Sequence, residues 1–168
     1  ITEIKYYESN TLLQTETYQY DTSGRVTTFI LVDNIDTDWG NKETYTYNAN
    51  GSVSVNYYSG DAFSQTNLDR TATITFLNGE VNQISFSDGK TITYSYDNKN
   101  NPFKNVTGYD KINFCNQEGT GVLHNIIQED DSTDLDDVSI TYTYNSNNYP
   151  ITSTETGFEV TTAQYFYN

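Results

Sequence analysis

Along much of this chain apolar and polar residues alternate one by one. In 71–76 the apolar positions are Ala72, Ile74 and Phe76, in 91–96 they are Ile92, Tyr94 and Tyr96, and in 138–144 they are Val138, Ile140, Tyr142 and Tyr144. Side chains two residues apart on an extended chain share a face, so each run predicts a strand with one buried and one wet side. The aromatic pair that closes these runs recurs: Tyr18-Gln-Tyr20, Tyr45-Thr-Tyr47, Ile74-Thr-Phe76, Tyr94-Ser-Tyr96 and Tyr142-Thr-Tyr144, each followed by a polar turn and a further apolar run. Internal self-similarity of this kind marks one supersecondary unit used several times, here strand, turn, strand.

The turns agree with the strands. Asn78-Gly79 and Ser87-Asp88-Gly89 carry residues that tolerate positive φ, the requirement of tight hairpin turns, and predict three consecutive antiparallel strands within 71–97. Asn50-Gly51 predicts another hairpin joining 43–48 to 52–58. No window sustains helical periodicity, and 61–70 has room for one short turn. Two stretches break the rhythm, 33–42 and 98–137. Pro102 bars a central strand in the second, and its acidic end, 128–137, reads as a solvated loop. The expectation is a single all-β domain over 1–168: an antiparallel meander of Tyr-x-Tyr hairpins, forming a strongly curved sheet or a small soluble barrel, with an irregular insertion around 98–137.

Composition sharpens this picture. With 16 Tyr, 8 Phe, 1 Trp and no Met, rings supply much of the apolar surface, and such residues fit a pleated, half-buried sheet. Eight Lys and Arg against 23 Asp and Glu give a net charge of −15, which argues against nucleic acid and against an anionic membrane as partners. Strands interrupted by Asn-Gly turns, with a mean hydropathy of −0.70, oppose a membrane-spanning barrel. Cys115 stands alone, so no intramolecular disulfide forms. The chain opens on Ile1 with neither a basic leader nor an apolar run of membrane length, and is expected to be a processed or truncated segment whose targeting signal lies upstream.

The Tyr-x-Tyr-Asp-x-x-Gly-Arg-Val run at 18–26 resembles the tyrosine-aspartate repeats of Rhs-type surface proteins. The segment YSYDNKNNPFKNVTGY at 94–109 resembles a stretch common in Bacteroidetes surface lipoproteins, some of whose domains have a porin-like β fold. The resemblance implies an extracytoplasmic location, at the bacterial cell surface or in the periplasm, a lipid anchor upstream of Ile1, and a meander of many short strands. It implies no catalytic or binding residues. Asn48, Leu77 and Asn145 replace the repeat aspartate, a departure from true Rhs repeats.

Candidate chemistry is sparse. One His124 and one Cys115 leave little for nucleophilic triads or zinc, and no phosphate-binding glycine loop occurs. No cofactor motif is present; calcium is the cation that the acidic loop fits best, through Asp33, Asp36 and Asp38, because hard cations take clustered oxygen ligands. A sugar-stacking platform would draw on Trp39, Tyr57, Tyr58, Phe63 and Tyr109, which lie off the clean alternation or near loops. The functional expectation is a non-enzymatic surface or periplasmic lipoprotein domain, acting as scaffold or binding module for a glycan or another surface protein. The alternative is a carboxylate-dependent carbohydrate-active enzyme, whose chemistry needs only two opposed carboxylates.

Overall fold

A computed structural model describes residues 1–133, 137–157 and 159–167. The chain forms one sheet of twelve antiparallel strands in strict sequence order. These are β1 (Glu3–Glu8), β2 (Thr11–Tyr20), β3 (Val26–Asp33), β4 (Gly40–Tyr47), β5 (Val53–Gly60), β6 (Gln65–Leu77), β7 (Glu80–Phe86), β8 (Thr91–Tyr96), β9 (Ile126–Asp131), β10 (Val138–Tyr144), β11 (Pro150–Thr156) and β12 (Val160–Gln164). The only helical element among the described residues is a 3₁₀ turn at Tyr109–Lys111. The predicted all-β meander is thus the fold. The two end strands do not pair, so the sheet stays open rather than closing into a barrel.

The repeat is a turn as much as a strand. Asp21 N–H donates to Arg25 O, Asn48 N–H to Ser52 O and Asn145 N–H to Tyr149 O, all at 2.9 Å. In each loop the fourth residue has positive φ: Gly24 at 75°, Gly51 at 86° and Asn148 at 62°. The Asp or Asn side chain supports the loop, as when Asp21 Oδ1 accepts from the amides of Ser23 and Arg25 at 2.9 Å. Asp97 opens the same turn. Its Oδ1 accepts from Lys99 N–H at 2.9 Å and Asn125 N–H at 3.1 Å, and its own N–H donates to Asn125 O at 3.0 Å. Residues 98–124 therefore occupy the place that 22–24 fill in the first repeat.

A second device uses the repeat tyrosine. β3 and β4 stop pairing at Thr28 and Thr44, and β7 and β8 at Gln83 and Thr93, so these strand ends splay. Across each gap a tyrosine hydroxyl donates to a carbonyl near the start of the neighbouring strand: Tyr47 to Val26 O at 3.0 Å and Tyr96 to Val81 O at 2.8 Å. Tyr142 to Ile126 O at 2.9 Å and Tyr167 to Pro150 O at 2.8 Å repeat the arrangement. Tyr20 reaches Ile1 O in the same way.

The inserted segment fills the sheet. Phe114 packs edge-on against Tyr45 of β4 and Phe76 of β6, with ring centroids 5.4 and 5.6 Å apart. Ile112 and Cys115 line one hollow with Ile4 of β1 and Tyr18 of β2, while Gly119 N–H bonds Tyr94 of β8. A flat run of eight strands would span about 34 Å at roughly 4.8 Å per interval, so one short segment reaches both ends only because the sheet curves around it. Phe29, Ile74, Val81 and Ile84 are wholly enclosed between the two.

The irregular region is shorter than the expected 98–137. Ile126–Asp131 pairs along β8 as β9, because Glu129 and Asp131 share the inner face with Tyr94 and Ile92. The expected solvated loop over 128–137 is therefore a strand in its first part, and 134–136 lie outside the described residues. The segment 61–70 likewise holds no helical turn: a short loop ends at Gln65, where β6 begins.

Candidate functional site

Two of the five expected aromatic positions, Trp39 and Phe63, come to one rim, and a third, Tyr58, lies on β5 below it. β4 and β5 meet there at the pair Gly40 and Gly60. A Cβ on Gly40 would stand 2.6 Å from Asp61 O, and one on Gly60 would stand 1.9 Å from Ser64 O, so only glycine lets the adjoining loops close up. Ala62 N–H donates to Thr37 O at 2.9 Å, which ties the loop before β4 to the loop before β6. From these joined loops Trp39 is 37% exposed, Ile35 64% and Phe63 87%. Tyr58 lies two residues before Gly60, with Lys42 Nζ 4.6 Å from its ring centroid. Ile35 was not singled out from sequence, since a lone aliphatic residue in a polar loop carries no signal.

The other two stand elsewhere. Tyr57 faces the core, is 4% exposed, and its ring centroid is 5.9 Å from that of Phe86. Alternation already separates Tyr57 from Tyr58, because neighbours on a strand take opposite faces. Tyr109 sits in the inserted segment, stacked on Phe103 at 4.7 Å, with its hydroxyl donating to Thr120 Oγ1 at 3.1 Å.

The acidic residues of the rim act on its backbone. Asp33 Oδ1 accepts from the amides of Ile35 at 2.7 Å and Asp36 at 2.8 Å, and Asp36 Oδ1 accepts from Asp38 N–H at 3.1 Å. Those two amide bonds hold the Asp33 carboxyl below its ordinary range. Asp61 Oδ1 accepts from the amides of Phe63 and Ser64 at 2.8 and 2.7 Å. Asp33, Asp36 and Asp61 thus shape the loops that present the rings. Among the described residues no group of three or more His, Cys, Asp or Glu is arranged to hold a metal ion, Asp33, Asp36 and Asp38 included.

Sequence reasoning missed the carboxylates inside the sheet. Glu80, 3% exposed, accepts the amides of Val122 at 3.0 Å and of Leu123 and His124 at 2.8 Å. Glu43 accepts from Asn116 N–H at 3.1 Å and from the Tyr45 hydroxyl, where Asn116 and Gln117 both have positive φ. Burial pushes the Glu43 carboxyl up to about 7, against the pull of those donors. An irregular segment has no strand partner for its amides, and these side chains supply one. Glu16-Thr-Tyr18 and Glu43-Thr-Tyr45 held the signal, because Glu two residues before a core tyrosine shares its face. Burial likewise raises the Cys115 thiol, so it sits as an inert packed group.

No helix among the described residues is long and apolar enough to cross a membrane. No family model and no curated protein matches the chain. Among solved structures it is similar to a porin-like protein from Bacteroides uniformis ATCC 8492, at 16% identity and a TM-score of 0.34, over 96% of this chain and 92% of that one. A superposition at that level transfers no function to these residues.

Proposed function

We propose that this chain is a non-enzymatic binding domain of an extracytoplasmic lipoprotein, and that it takes a glycan on the rim formed by the 34–39 and 61–64 loops. The observation that carries this reading is that exposed Trp39 and Phe63 stand on two loops tied by the Ala62–Thr37 bond and pinned by Gly40 and Gly60, with Tyr58 on β5 two residues before Gly60. Exposed rings on a rigid scaffold stack on the C–H face of a sugar, and the hydroxyls at the sugar's edge find the polar groups of Asp38 and Lys42. The lipoprotein and surface assignment is supported by the likeness of 94–109 to Bacteroidetes surface lipoproteins.

A broad panel of neutral oligosaccharides followed by Trp39 fluorescence tests the proposal. Binding should shift the emission, Phe63→Ala should abolish that shift, and Trp39→Ala, which removes the single tryptophan and is therefore followed by calorimetry, should abolish the heat of binding, with the melting temperature of both variants within a few degrees of the wild type. Reducing-sugar release measured on the same panel should stay at background. Unchanged fluorescence across the panel would overturn the glycan reading, and sugar release would turn it into an enzyme.

A further inference from the structure

We infer that the inserted segment carries a second, separate site: a cationic groove for an anionic saccharide, one bearing uronate or sulfate groups. In a chain of net charge −15, residues 99–111 hold three of the eight Lys and Arg residues, Lys99, Lys104 and Lys111, against one acid, Asp110. None of the three lysines forms an ion pair among the described residues. Lys99 Nζ donates to Asn148 Oδ1 at 3.0 Å and Lys104 Nζ to Asn100 Oδ1 at 2.9 Å, while Lys111 Nζ lies 6.0 Å from the Tyr20 ring centroid. Neutral partners orient the first two ammonium groups without neutralising them.

Lys104 and Lys111 line a groove of about 390 Å³ whose apolar wall includes Val106 and Leu123, 44% and 37% exposed. That volume lies within the range of small-ligand sites. Its chemistry is two cations beside an apolar floor, the complement of a sugar ring whose C–H face packs down while its acidic group meets an ammonium. Val106 and Leu123 beside the two lysines suit the C–H face of one saccharide unit, and binding to an anionic membrane is the competing outcome of the test. The field of the remaining acidic surface is screened beyond roughly 8 Å at physiological salt, so the local sign governs a ligand held in the groove. Asp110 also lines it and opposes an anion there.

The test uses polygalacturonate, with dextran as the neutral control and phosphatidylglycerol vesicles as the membrane control, by affinity electrophoresis and calorimetry at 50 and 300 mM NaCl. The chain should bind polygalacturonate at low salt, weaken at high salt and ignore both controls at this site. Lys104→Glu/Lys111→Glu should weaken binding at least tenfold, and Asp110→Asn should tighten it. These exposed positions should leave the melting temperature unchanged, which separates lost binding from lost folding. Trp39→Ala should bind polygalacturonate like the wild type, so this inference and the neutral-glycan rim fail independently. No binding at 50 mM NaCl, equal binding by the double variant, or binding to vesicles in preference to polysaccharide would each overturn it.

Discussion

The sheet has a filled half and a bare half, built from the same pattern. In β2–β8 the inner face is closed by the inserted segment, and Val26, Phe29, Ile74, Val81 and Ile84 have no exposed surface. In β10 the equivalent row, Val138, Ile140, Tyr142 and Tyr144, is only half-buried, and every residue of β12 is exposed, with Val160 at 70%. Ile92-Thr-Tyr94-Ser-Tyr96 and Ile140-Thr-Tyr142-Thr-Tyr144 are nearly the same string. Period-two alternation therefore fixes which face a side chain takes, while the depth of burial depends on what lies across from it. The cover comes from a loop grown inside one turn; it packs against β1 to β8 and hydrogen-bonds the 147–149 turn between β10 and β11, but leaves the inner row of β10 half-buried.

The largest test of this contrast is truncation. Phe29→Ala or Ile74→Ala removes a fully enclosed side chain and should cost about 2–5 kcal/mol, through lost burial and the cavity left behind. Val160→Ala, on an exposed edge strand, should cost under about 0.5 kcal/mol. Urea denaturation with a shared slope measures both. Equal losses would mean that the bare half is covered in solution, by another chain or by contacts absent here.

A pH profile sharpens the comparison from the filled side. The Glu43 carboxyl, ordinarily near 4.5, is raised to about 7 by burial in the folded chain. A raised carboxyl binds its proton more tightly when folded, so the stabilisation is complete below about pH 4.5 and is lost as pH rises through about 7. At roughly 1.4 kcal/mol per pH unit, the full swing is on the order of 3 kcal/mol. Glu129, at the seam of the two halves, is also raised to about 7, by burial first and then by Glu118 and Asp131, but it is only partly covered. Its share should be smaller because solvent screens it. Unfolding midpoints at pH 5 and pH 8 should differ less in Glu43→Gln than in the wild type, with Glu129→Gln intermediate. Parallel profiles for all three would remove Glu43 as the source.

Most of the fold was legible because its rules are local. Alternation placed Ile74 and Tyr94 inward, and Asn78-Gly79 gave a two-residue turn with φ of 54° and 87°. What was not legible is long-range. Nothing near 112–115 says that Phe114 meets Tyr45 and Phe76, and the amides that Glu80 satisfies lie more than forty residues away. The acidity of 128–137 concealed a strand, because Glu129 and Asp131 face inward at the register of Tyr94 and Ile92. Of the rim, Trp39 and Phe63 could be read from their loops, but their meeting depends on Gly40 opposing Gly60 across two strands.

The finest probe of the two halves is the tyrosine staple, since the same hydroxyl-to-carbonyl bond occurs in both. Tyr47→Phe and Tyr96→Phe delete one oxygen each at the splayed ends of β3–β4 and β7–β8, under the cover of the inserted segment. Tyr142→Phe does so where the inner row of β10 is only half-buried, and Tyr167→Phe does so at the carbonyl of the fully buried Pro150. A hydrogen bond in place of one to water is worth about 1 kcal/mol, and a carbonyl left without a partner costs more where water cannot replace the lost donor. Tyr47→Phe and Tyr96→Phe should therefore lose about 1–2 kcal/mol and Tyr142→Phe under about 1, with Tyr167→Phe falling beside the covered pair because Pro150 is buried, and with the ring packing kept in all four. Amide exchange localises the effect, and protection should fall first in the strand whose opening carbonyl has lost its donor. A Tyr142→Phe loss equal to those of Tyr47→Phe and Tyr96→Phe would show that water reaches the covered staples too. The inserted segment would then act as a lid over a wet rim, and the repeat tyrosines would be retained for their rings alone.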